Sequence, residues 1–287
     1  MSDAAVDDIA GAVAWLGAEP DRTALFTDYD GTLSPIVARP GDARPLPGAS
    51  EALKQLASRL AVVGVVSGRP IEFLVDRLGL DALARETSAP PEARPVLHAF
   101  GLHGLEHWVG DGTIEIEPAV LAWRRAVAAA RGGARLAALP GVEVEDKVYG
   151  VTIHWRNAPD PAAIEPAASA LAGELAEANG LLVRPGKASV ELVPPVGVDK
   201  GIVVRRWGAG GRVRRIGYLG DDTSDLPAFD ALDSLTAESD RRALKVAVTG
   251  RGAPPALLES ADLILASPAE AVELISRLVQ FLDAAGG

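Results

Sequence analysis

"FTDYDGTLSPI" (residues 26–36) sets two aspartates, Asp28 and Asp30, two positions apart where an apolar run ends. The run itself, "TALFTD" (23–28), is short and apolar enough for a buried strand. At a strand end, side chains i and i+2 lie on the same side, so the two carboxylates share one spot. Such neighbours raise each other's pKa unless a cation joins them. Read alone, Asp-Gly-Thr after a strand serves equally well as a turn. The choice depends on whether other strand ends carry matching chemistry.

Working outward, "GASEALKQLASRL" (48–60) has helical apolar spacing, "AVVGVVSG" (61–68) is a second buried strand, and "RPIEFLVDRLGL" (69–80) starts near Pro70 and stops at a glycine. The last third repeats the style. Strands are expected at 215–222, 243–250 and 261–266, with helices at about 224–232, 254–260 and 268–284. Strands apolar on both faces, alternating with helices, predict an α/β fold with a parallel sheet covered on both sides.

The middle breaks the pattern. From about 105 to 195 come "LEHWVGDGTIEIE", a helix near 118–131, "VEVEDKVYGVTIHWR" (142–156), a helix near 161–179 and "LLVRPGKASVELVP" (181–194). Val151, Ile153 and Trp155 alternate with Thr152, His154 and Arg156, the period of an antiparallel sheet with one wet face. The expected organisation is therefore a core of 1–106 and 196–287 with an inserted α+β domain at 107–195.

Composition bounds the partners. The 287 residues are 48% hydrophobic and 23% charged, ordinary for a globular chain, and no run is long enough to span a membrane. The acidic N-terminus does not read as a signal peptide, and with no cysteine to mark the compartment, a cytoplasmic location is the default expectation. A net charge of −11 argues against nucleic acid as a partner. An anionic small molecule stays open, since a few local cations can outweigh the global field.

Three further motifs sit at strand–helix junctions. "GDDTSD" (220–225) supplies Asp221, Asp222 and Asp225, which with Asp28 and Asp30 suit Mg²⁺, a hard cation that prefers oxygen. Its bland reading is a helix cap. "VVSGR" (65–69) brings Ser67 and Gly68 to a helix start, where backbone N–H groups favour an anion. "VGVDKG" (196–201) places Lys200 just ahead of a helix; alone it would be a solvated surface charge.

Taken in order, Asp-x-Asp-Gly-Thr, a strand-end Ser-Gly, a Lys and Gly-Asp-Asp-x-x-Asp resemble the haloacid dehalogenase superfamily of phosphotransferases, with a Rossmann-like core. The resemblance implies Asp28 as nucleophile, forming an aspartyl-phosphate, and Asp30 as general acid and then base. It implies Thr32 holding Asp30 or the phosphate, and Ser67, Gly68 and Lys200 holding phosphoryl oxygens. Mg²⁺ would sit on Asp28, the carbonyl of Asp30 and Asp221, with Asp222 and Asp225 completing its surroundings or orienting Lys200. The carboxyl at position 30 favours a phosphatase over the related ion pumps.

Together with "GLHGLEHW", "EDKVYGVTIHWR" and "KASVELVPPVGVDKG", these motifs resemble trehalose-6-phosphate phosphatases from about residue 24 to 230. Leu226 and Pro227 depart from the acidic residue common there, and Ser224 from the usual threonine. The resemblance implies a phosphoric monoester hydrolase acting on trehalose 6-phosphate, with a functional link to its synthase. Arg69, His103, Glu106, His154, Lys187 and Glu191 are the expected substrate contacts; a merely solvated polar sheet face is the bland alternative. Other readings are a phosphatase for mannosyl-3-phosphoglycerate or sucrose phosphate, a mutase, and a catalytically silent sugar-phosphate-binding regulator.

Overall fold

The computed structural model describes residues 6–37, 39–82, 97–110, 112–186, 188–250 and 252–286. Its strands are β1 (Thr23–Thr27), β2 (Val62–Val66), β3 (Leu97–Gly101), β4 (Glu106–Trp108), β5 (Ile114–Ile116), β6 (Glu143–Lys147), β7 (Gly150–His154), β8 (Leu182–Gly186), β9 (Ser189–Val193), β10 (Arg215–Gly220), β11 (Arg242–Val248) and β12 (Leu263–Leu265). They form an eight-stranded sheet in the order β12-β11-β10-β1-β2-β3-β4-β5 and a four-stranded sheet in the order β6-β7-β9-β8.

From β12 to β3 the large sheet is parallel. Its alternation explains the unbroken apolar runs. Leu25, Val63, Leu219 and Val246 face helices Ile9–Gly17, Ala49–Ala57, Ile71–Leu78 and Pro268–Gly286. Phe26, Val66, Ile216 and Ala247 face helices Lys200–Gly208, Leu226–Ala237 and Pro255–Ser260. A strand covered on both sides has no face to leave polar.

Two elements lie outside the expectation from sequence. Helix Ile9–Gly17 is rich in alanine and glycine, which blurs its apolar stripe; Asp8 caps it by accepting from Gly11 N at 2.7 Å. β3, LHAFG, has His98 and a terminal glycine in place of an unbroken apolar run. A third element is displaced. "LEHWVGDGTIEIE" was expected within the insert, yet β4 pairs antiparallel to β3 and, with β5, extends the core sheet. The reversal is made by Leu102 and His103, both at positive φ (48° and 61°), followed by Gly104.

The chain divides into two compact units, one built from residues up to Glu115 and from Val198 onward, the other from Ile116–Gly197. In the second, β6, β7, β9 and β8 pair antiparallel, and Val151, Ile153, Val190 and Leu192 pack against helices Arg124–Ala137 and Pro161–Asn179. The single helix expected near 118–131 is instead a turn of helix at Pro118–Leu121 followed by Arg124–Ala137.

Candidate active site

Three neighbouring strands converge on one place. β10, β1 and β2 are parallel, and Thr27 lies level with both Leu219 and Val65. One residue beyond β1, Asp28 donates its N–H to the Leu219 carbonyl at 2.8 Å. The chain beyond β10 supplies Asp221, and that beyond β2 supplies Ser67. This carboxyl edge is where parallel sheets bind ligands.

Lys200, the first residue of its helix, lies 2.9 Å from Asp28 Oδ1 and 2.8 Å from Asp225 Oδ1, with its side chain 1% exposed. Burial opposes its charge, but Asp225 and Asp28 outweigh that and hold the ammonium above the usual lysine range. For Asp28, burial is the largest influence and pushes the carboxyl well above its usual range against the pull of Lys200; Asp225 and Asp221 push the same way. Asp221 is pushed up to about 7, by burial first and then by Asp225 and Asp222.

Asp225 is fully buried and saturated. Its Oδ1 accepts from Lys200 Nζ (2.8 Å) and the Tyr218 hydroxyl (2.7 Å). Its Oδ2 accepts from the N–H groups of Asp221 (3.0 Å) and Asp222 (3.1 Å). Two glycines make this density feasible. A Cβ on Gly31, at φ +78°, would stand 1.9 Å from Asp221 Oδ2, and one on Gly220 would stand 2.3 Å from Asp225 Cγ.

Asp30 is held differently. Arg69 Nε donates to its Oδ2 at 2.6 Å and Arg69 Nη2 to its Oδ1 at 2.8 Å. Thr32, expected to hold Asp30 or phosphate, is buried and its hydroxyl has no partner among the described residues. Ser67 Oγ accepts from Arg69 N at 3.2 Å, and the Ser67 carbonyl accepts from His103 N at 2.8 Å. The His103 ring lies over Gly68, where a Cβ would come within 3.0 Å of it. Ser67, Gly68, Arg69 and His103 therefore form one group.

Two expected site residues make bonds within the protein. Asp222 Oδ1 accepts from Ser224 N (2.7 Å) and Ser224 Oγ (2.6 Å), capping the turn Thr223–Asp225. Glu106, expected to touch substrate, is buried and accepts from Ile71 N at 2.7 Å. Pro70, at the N-cap of helix Ile71–Leu78, makes no side-chain cap bond, so Glu106 of β4 supplies the missing acceptor. Burial pushes the Glu106 carboxyl up, against the Ile71 bond. Glu106→Ala is expected to lose about 1–2 kcal/mol of stability, with Glu106→Gln losing less and KM unchanged in both. A raised KM at unchanged urea midpoint would return Glu106 to substrate binding.

A family model described as trehalose-phosphatase matches residues 26–84 and 95–254. The chain belongs to the trehalose-phosphatase family. A trehalose-phosphate phosphatase of Mycobacterium avium (strain 104) is 34% identical over 100% of this chain and 69% of its own length. One of Mycobacterium leprae is 34% identical over 80% of this chain, which spans about half (53%) of that relative. A solved trehalose-6-phosphate phosphatase of Aspergillus fumigatus has 26% identity and a TM-score of 0.64, covering 94% of this chain and 97% of that one.

This trehalose-phosphatase family member has a donor set that suits a divalent metal. Ligand atoms of Asp28, Asp221 and Asp225 lie within 4.8 Å of one another. Asp225 has its lone pairs committed, whereas Asp221 Oδ1 is buried without a partner among the described residues. An all-oxygen set whose burial disfavours its own charge matches a hard cation.

The remaining expected residues belong to the smaller unit. Across the β7–β9 pair, Thr152 is opposite Glu191 and His154 opposite Ser189, away from the Val151 and Ile153 face. His154 Nε2 lies 2.7 Å from Glu145 Oε2, and Lys147 Nζ lies 3.5 Å from Glu191 Oε1. Lys187 lies outside the described residues. Tyr218 is the partner that sequence reading missed. The available signal was a tyrosine inside an apolar strand, since a buried phenol needs an acceptor.

Proposed function

We propose that this chain hydrolyses trehalose 6-phosphate to trehalose and phosphate, with Mg²⁺ as the metal. The observation that carries the reading is Lys200 bridging Asp28 and Asp225 at the carboxyl edge beside an Asp221 oxygen without a partner among the described residues. Family membership narrows the substrate class, and the polar sheet face bearing Glu191 and His154 is the proposed source of sugar contacts.

In the first half-reaction an Asp28 oxygen forms a bond to phosphorus as the bond from phosphorus to the sugar oxygen breaks. Asp30 gives its carboxyl proton to that leaving oxygen. In the second, a water oxygen bonds phosphorus, its proton passes to Asp30, and the phosphorus–Asp28 bond breaks. Lys200 and Ser67 hold phosphoryl oxygens. Asp28, Asp221 and the Asp30 carbonyl would hold Mg²⁺, which supplies positive charge that lets a carboxylate approach a phosphate. Lys200 supplies part of that charge permanently.

Phosphate release should be measured on trehalose 6-phosphate, sucrose phosphate and mannosyl-3-phosphoglycerate, with Mg²⁺ and with EDTA. Turnover is expected on trehalose 6-phosphate with at least roughly a tenfold preference in kcat/KM, and loss of it in EDTA with recovery on adding Mg²⁺. Equal rates across the panel would defeat the substrate assignment. Activity undiminished by chelation would defeat the metal.

A further inference from the structure

Asp30, which moves the proton in the reading above, has both carboxylate oxygens engaged by one arginine. Arg69 Nε and Nη2 reach Oδ2 and Oδ1 at 2.6 and 2.8 Å, the parallel geometry that guanidinium and carboxylate prefer. Arg69 is itself held in place. Its guanidinium carbon lies 4.8 Å from the centre of the Phe73 ring, and its backbone N–H donates to Ser67 Oγ at 3.2 Å. The pair is not sealed off, with side chains 21% and 25% exposed.

Both half-reactions need an Asp30 oxygen facing the reacting centre: first to protonate the leaving sugar oxygen, then to accept the proton of attacking water. A guanidinium forked onto that carboxylate occupies both of the oxygens that would carry the proton. We propose that Arg69 is a positioning residue that latches Asp30 in the resting protein, and that the hydroxyl oxygens of a bound sugar phosphate take over the guanidinium and release it. The inference rests on the proton-transfer reading of Asp30. Partly exposed pairs hold their latched state by only on the order of fivefold, so a polyol's acceptors suffice to exchange with it. A phosphate ester lacking a polyol engages Lys200 and Ser67 but leaves the latch closed.

p-Nitrophenyl phosphate is the probe, because its leaving group needs no proton, so Asp30 acts on it only in the hydrolysis of the aspartyl-phosphate. Arg69→Ala is expected to raise its turnover about fivefold and to speed decay of the phosphoenzyme in rapid-quench experiments, while lowering kcat/KM on trehalose 6-phosphate. Arg69→Lys keeps the charge without the fork and should fall between. Phe73→Leu, which removes the ring beneath the guanidinium, should move both substrates in the same directions by less. Unchanged or slower aryl phosphate turnover in folded Arg69→Ala and Arg69→Lys proteins would overturn the latch. A wild-type protein that forms no phosphoenzyme would instead overturn the reading of Asp28 and Asp30 on which it rests.

Discussion

Asp28→Asn is expected to lower phosphate release by at least roughly a thousandfold while leaving the metal-free protein as stable as the wild type or more so. Activity falls because an amide oxygen cannot take the place of the attacking carboxylate. Stability has the opposite sign. Burial, reinforced by Asp225 and Asp221, pushes the Asp28 carboxyl well above its usual range, so the folded site disfavours the charge at that position. Asparagine has nearly the same shape, still offers an oxygen to Lys200 Nζ, now 2.9 Å from Asp28 Oδ1, and leaves Lys200 paired with Asp225. Phosphate release and thermal melting in EDTA measure the two halves of the expectation. Surviving turnover would remove Asp28 from the reaction. A melting temperature several degrees lower would mean that the Asp28–Lys200 attraction outweighs the cost of the buried carboxylate.

Where sequence reading succeeded, it relied on order along the chain and on strand period. "TALFTD", "AVVGVV" and "RIGYLG" are apolar on both faces, so they belong in one parallel sheet. Residues just past such strands collect at one edge, which is why sequence alone groups Asp28, Asp221 and Ser67. What could not be read was which acceptor each polar side chain reaches. Glu106 accepts from Ile71 N because β4 pairs with β3 and brings it beside the open end of helix Ile71–Leu78. Asp222 and Asp225 are three residues apart in one turn, yet one caps its neighbour and the other anchors Lys200. Arg69 and Asp30 are 39 positions apart, and only the adjacency of β1 and β2 joins them. Local period sets the side on which a residue lies; tertiary pairing sets its partner.

Asp225→Asn is expected to behave unlike Asp28→Asn in the same cluster. Four donors point at the Asp225 carboxylate: Lys200 Nζ and the Tyr218 hydroxyl at one oxygen, and the N–H groups of Asp221 and Asp222 at the other. A carboxylate has lone pairs for all four. An asparagine amide has one oxygen and an NH₂ that donates, so whichever way it turns, two donors face a donor instead of an acceptor. Lys200 keeps Asp28 at 2.9 Å, so the loss comes from buried donors left without an acceptor, about 1–3 kcal/mol each, and Asp225→Ala removes every acceptor at once. Both variants are expected to shift the urea midpoint strongly downward, and both should impair catalysis through a misplaced Lys200. Lys200→Met separates the two effects. It removes the cation needed for phosphate and takes it from both Asp28 and Asp225, but Asp225 keeps Tyr218 and the 221–222 N–H groups, so the urea midpoint should fall less than in Asp225→Ala while activity is lost as fully. An Asp225→Asn protein as stable as wild type would show that the four-donor arrangement does not hold the 220–225 turn in place.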